Sequence, residues 1–156
     1  MLPGDRLICA FVEPQMVGAR FKAWLLHVTI VPWFRLADSS DVIAEGLKKA
    51  LGTVQSFEAI ADGGAMLGPN KNRPVQLLQQ PTPFTDIEAK VRVYLHKKRA
   101  WLVDETTKRH RTFLPHVTDQ HELGLRSGDR FWCERIYIVE QKGGYKEVVA
   151  GVNLDE

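Results

Sequence analysis

An α+β domain, with helices outside an antiparallel or mixed sheet, is the fold class this chain predicts, and three observations predict it. Strand-like segments outnumber helical ones. They fall in pairs around single helices, in the order β-β-α-β-β and then α-β-β-β. A four-residue phrase also occurs twice, as His27-Val28-Thr29-Ile30 and as His116-Val117-Thr118-Asp119. The copies begin at positions 27 and 116 of 156, which fits an internal duplication with one helix and one motif strand per half.

Each element has a local reason. Leu7 to Val12 is an apolar run of strand type, and a second strand lies within Phe21 to Pro32 and carries the first motif. Asp38-Ser39-Ser40 supplies helix-capping side chains. Ile43, Leu47, Ala50 and Leu51 then recur at helical spacing, with Gly52 as the stop. Val54 to Ala61 reads as a strand broken by Asp62-Gly63-Gly64, and Gly68 to Asn72 as a turn-rich loop. Val75 to Leu78 is a short strand. Thr85-Asp86-Ile87-Glu88 has the form of a capping box. Ile87, Val91, Tyr94 and Leu95 extend a helix to about Arg99. Asp104 to Arg111 has no periodicity and reads as a mobile loop. Phe131 to Glu140 is one long alternating strand, Lys142-Gly143-Gly144 a hairpin turn, and Tyr145 to Val152 the return strand.

The composition is that of a globular protein, 44% hydrophobic and 26% charged over 156 residues, and predicts one domain over 1–156. No apolar run approaches the roughly 20 residues a membrane helix needs, and the first residues lack the pattern of a signal peptide. Cys9 and Cys133 are isolated in apolar stretches, as buried free thiols of a reducing compartment would be. A cytoplasmic monomer is the expectation. From Lys90 to Arg111 eight Lys or Arg face only Asp104 and Glu105, a local +6 in a chain of net +2. The rest therefore stands near −4, and the basic stretch beside the second motif would attract a polyanion.

Five His and eight Thr give only about 0.3 His-x-Thr pairs by chance in this length. In a strand, residues i and i+2 share a face, so His27 projects with Thr29 and His116 with Thr118. Two imidazoles and two hydroxyls facing one cleft can hold a phosphate and move two protons across it. Histidine titrates near 6.5 and serves as base or acid at neutral pH. The hydroxyls would donate to non-bridging phosphate oxygens. Lys71, Arg73, Arg109 and Arg111, in loops near strand ends, are candidate phosphate contacts. Trp33, Phe34 and Phe113 flank the motifs and are candidates for stacking on a base where exposed, with core packing as the alternative for each.

The paired His-x-Thr phrases, their spacing and the chain length resemble the two-histidine (2H) phosphoesterase superfamily, the 2′-5′ RNA ligase-like proteins. The segment His27 to Phe34 is similar to the first motif region of small bacterial members. Phe113-Leu114-Pro115-His116-Val117-Thr118 is similar to the second, and Gly68-Pro69-Asn70 followed by Pro74-Val75 also resembles them. One residue departs: the family places an apolar residue where Asp119 follows the second Thr. The resemblance implies a bilobal fold of two αβ lobes around a central cleft, one motif strand in each. It implies a phosphodiesterase without metal or cofactor, with His27 and His116 catalytic and Thr29 and Thr118 on the phosphate. Its substrates would be 2′,3′-cyclic phosphate RNA ends, or 2′-5′ linked or cyclic nucleotides, and the reverse reaction would be ligation. Two other readings compete: a non-catalytic RNA-binding module of the same fold, and a metal hydrolase using His27, His116 and Asp119.

Overall fold

The computed structural model describes residues 1–103 and 112–156. Arg109, Arg111 and the loop expected over Asp104 to Arg111 lie outside the described residues. The elements run β1 (Arg6–Phe11), β2 (Arg20–Phe21), β3 (His27–Arg35), α1 (Ser40–Ala50), β4 (Phe57–Leu67), β5 (Arg73–Leu78), α2 (Pro83–Lys97), β6 (Trp101–Leu102), β7 (His116–Thr118), β8 (Arg130–Cys133), β9 (Arg135–Gln141) and β10 (Lys146–Asn153). They build a six-stranded sheet, β2-β10-β9-β1-β3-β6, and a four-stranded sheet, β7-β5-β4-β8, with every pairing of named strands antiparallel. The α+β class is as expected.

Both helices and both sheets contribute to one core. Ile43 and Leu47 of α1 and Phe84, Ile87, Val91 and Leu95 of α2 meet Val28, Ile30 and Phe34 of β3, Val117 of β7, and Phe131 and Cys133 of β8. A second cluster fills the other face of the six-stranded sheet: Leu7, Cys9, Phe11, Trp33, Tyr137, Val139 and Val148, covered by Phe21, Trp24 and Leu25. Alternation along each strand sorts residues between these faces. Burying about thirty apolar side chains, at roughly 1.5–3 kcal/mol each, drives the collapse.

Several boundaries differ from the sequence expectation, each for a physical reason. Ser39 caps α1 as expected, its hydroxyl accepting from Val42 N. α2 is capped by Thr82, not Thr85, because Pro83 can open a helix without a missed bond. Asp62-Gly63-Gly64 does not break β4. The register slips by one residue there, a bulge in which Gly63 takes φ +116°, and its N–H donates to Gln76 Oε1. The expected single strand Phe131 to Glu140 is two strands in different sheets, separated by Glu134: β8 pairs with β4 and β9 with β1 and β10. The first motif opens β3, which begins within the expected stretch Phe21 to Pro32 and runs on to Arg35. Among the described residues, no helix is long and apolar enough to cross a membrane.

Candidate active site

The two motifs open the two strands along which the sheets meet. β3 and β7 pack against each other. β6 pairs with β3 only at Phe34 and Arg35, so at its His27 end β3 is a sheet edge, as β7 is in the other sheet. Val28 and Val117 enter the helix-side core, so His27, Thr29, His116 and Thr118 project from the opposite face. A bulge at Ile30 follows the first motif, since Ile8 lies opposite Val31 while Cys9 lies opposite Thr29. It lets Ile30 and Val31 both pack inward without moving His27 and Thr29 off their face.

Both imidazoles are held the same way. His27 Nδ1 lies 2.7 Å from the Leu25 carbonyl, and His116 Nδ1 lies 2.6 Å from the Leu114 carbonyl. A carbonyl oxygen only accepts, so each Nδ1 carries a hydrogen. Each Nε2 is then the nitrogen that exchanges a proton: bare when the ring is neutral, a donor when it is charged. Thr29 and Thr118 are half-buried, and among the described residues neither hydroxyl is in a hydrogen bond.

The surroundings of the two rings differ. His27 is buried, and its ring stacks on the Trp24 indole at 4.2 Å between centroids and 29° between planes. Phe11 lies 6.3 Å away, and Lys146 Nζ sits 5.4 Å from the Trp24 ring centre. Burial holds the His27 imidazole below its usual range; the Leu25 carbonyl opposes this, and the charge of His116 adds to it. The packing of β3 on β7 brings the two motif strands together at this point. His116 is half-buried on a three-residue strand.

The remaining sequence candidates divide. Trp33 is buried in the second cluster, 6.2 Å from Trp24, on the same sheet face as His27. Phe34 is fully buried among the helices, on the far side of the sheet. It offers no surface for stacking on a base, which corrects the expectation. Phe113 is half-buried and also packs toward the helix-side core. Arg73 is exposed and lies two residues before Val75, which stands opposite Thr118, so it projects on the motif face one pleat beyond that threonine. Lys71 sits exposed in the β4–β5 turn with φ +49°. Asp119 ends β7: its N–H donates to the Pro74 carbonyl, and its carboxyl lies where a Cβ on Gly124 would stand. Among the described residues, no three His, Cys, Asp or Glu side chains converge as metal ligands. Sequence reading missed Trp24. Its signal was an aromatic three residues before the motif histidine, a position that Phe113 also occupies relative to His116.

Escherichia coli LigT complexed with 3′-AMP superposes on this chain with a TM-score of 0.59 at 13% identity, covering 99% of this chain and 100% of the other. The fold is the LigT fold. A structure described as a phosphoesterase matches with a TM-score of 0.59 at 12% identity over 99% and 100%. The protein TT0787 of Thermus thermophilus matches with 0.62 at 15% over 96% and 97%. No family model and no curated protein matches the chain. At these identities, what this chain shares with LigT is the backbone framework along nearly the whole length.

Proposed function

We propose that this protein is a two-histidine phosphoesterase. It opens 2′,3′-cyclic phosphate RNA ends, or 2′-5′ linked or cyclic nucleotides, by general acid/base catalysis that requires no metal. The observation that carries the proposal is the matched anchoring of His27 and His116 on the meeting edges of the two sheets, each presenting Nε2 with a threonine beside it. The LigT fold supports it. So does the 3′-AMP in the LigT complex, because a nucleoside 3′-phosphate is one of the two products of opening a 2′,3′-cyclic phosphate.

In the hydrolytic direction the buried His27 is the base, since its surroundings favour the neutral ring. Its Nε2 takes a proton from water as the water oxygen bonds to phosphorus. The bond from phosphorus to the departing ribose oxygen breaks on the opposite side, and His116 Nε2–H protonates that oxygen. Thr29 and Thr118 donate to the non-bridging oxygens as their charge grows. Arg73, one pleat beyond Thr118, contributes a further positive charge. Ligation is the same path reversed, with the roles of the histidines exchanged.

The test is hydrolysis of a short RNA bearing a 2′,3′-cyclic phosphate, in EDTA, by wild type, His27→Ala and His116→Ala. Turnover by wild type and loss in both variants is the expected result. Tight salt-sensitive RNA binding with no turnover would instead assign the fold to a binding module.

A further inference from the structure

The face of the four-stranded sheet that carries His116 continues beyond the catalytic pair. Phe131 and Cys133 of β8 enter the helix-side core, so Arg130 and Trp132 project from the other face. That is the face of His116 and Thr118, because Val117 between them enters the same core. The register leads across it strand by strand. Leu77 of β5 lies opposite His116. Leu78 lies opposite Ala61 of β4, so Ile60, one residue earlier, shares the face of Leu77. Ile60 lies opposite Arg130, and Glu58 lies opposite Trp132. Leu77 and Ile60 are half-buried, and Trp132 is 55% exposed. An apolar strip thus starts beside the catalytic imidazole and ends on an open indole at the sheet edge. β8 is three strand steps from β7, about 14 Å at roughly 4.8 Å per step. Leu77 falls level with Asp62 and Trp132 with Glu58, so Trp132 also stands about four residues, roughly 13 Å, along the strands, or about 20 Å from His116 in all.

We propose that this strip is the path of a single RNA strand leading away from the reacting phosphate, and that Trp132 is the platform on which one of its bases stacks. The proposal rests on the phosphodiesterase reading and narrows its substrate class to an oligonucleotide. At this distance Trp132 lies well past the base next to the reacting phosphate and meets the third or fourth one. Apolar side chains and an indole accept any base through its flat face. Arg130, on the same face as Trp132, projects a guanidinium toward solvent and pairs with Glu58 at 2.6 Å. The charge of Arg130 on this four-residue edge strand disfavours pairing with the edge of a second copy.

The experiment measures kcat/KM for wild type, Trp132→Ala and Trp132→Phe on two substrates: a 2′,3′-cyclic mononucleotide, and a four-nucleotide RNA ending in the same cyclic phosphate. Trp132→Ala is expected to lower kcat/KM about tenfold on the RNA, near the low end of one lost base–aromatic stack. The mononucleotide is unaffected, and Trp132→Phe recovers most of the loss. Equal loss on both substrates, or no loss on the RNA, overturns the proposal. So does a wild-type dimer that Trp132→Ala dissociates with unchanged kinetics, which would give the face to a second copy. If wild type turns over neither substrate, the phosphodiesterase reading is what fails. The strip is then tested by fluorescence anisotropy with a labelled 3′-phosphorylated RNA, where affinity unchanged by Trp132→Ala overturns it.

Discussion

The two halves of the site carry the same phrase on different supports. His27 begins a nine-residue strand, stacks on Trp24 and lies buried beside Phe11. His116 begins a three-residue edge strand and is half-buried. In both, the aromatic three residues earlier differs in what it touches: Trp24 covers the histidine, while Phe113 turns toward the helix-side core. Identical local chemistry thus becomes two unlike environments, which is what an acid/base pair needs, since one ring must be neutral while the other is charged.

The comparison breaks most sharply if both histidines are removed. His27→Ala and His116→Ala should each cost at least about 10³-fold in kcat, and the double variant little more than either single one, because the two act as a unit. Additive losses would mean the halves work independently. Next in size is a stability effect. Phe34→Ala, which empties a fully buried site behind the motif, should destabilise folding by about 3–5 kcal/mol while leaving kcat of the folded fraction near wild type. A selective loss of substrate affinity in thermally stable Phe34→Ala would restore Phe34 to the ligand face.

Trp24→Leu against Phe113→Leu sharpens the contrast between the two aromatic positions. Removing the stacked indole should lower kcat by about tenfold, as expected when a general base loses its fixed orientation, with KM little changed. Phe113→Leu should lower the melting temperature and leave kcat close to wild type. The smallest effect is electrostatic. The acid limb of the pH–rate profile should fall below the ordinary imidazole value of 6.5, because burial favours neutral His27. In His116→Ala the His27 titration, followed by NMR, should move upward, since one of the influences lowering it is gone. The sign for stability follows from the same shift. The unfolded chain takes up the proton more readily, so folding loses stability as pH falls from about 6.5 through the lower folded value.

Local sequence determined most of the elements and the chemistry. Hydrophobic periodicity gave both helices and most strands, and the i, i+2 alternation put each histidine on the face of its threonine. Caps and turns are local too, although Pro83 moved the start of α2 to Thr82. Tertiary structure decided which strand meets which, and its reasons are non-local. Phe131 to Glu140 alternates like one strand, yet it divides at Glu134 between two sheets, because its pairing partners are about 70 residues away on one side and over 120 on the other. Phe34 and Trp33 both flank the motif as aromatics, yet alternation from Val28 sends Phe34 into the helix-side core and Trp33 toward His27. The two register slips of β3 cancel between Thr29 and Phe34 and leave that parity intact; what tertiary structure decided is that both faces of this strand are covered. The unequal burial of the two histidines was settled in the same way, by what packs on each sheet edge: a stretch of chain carrying Trp24 covers one, and the other stands at the rim of the four-stranded sheet.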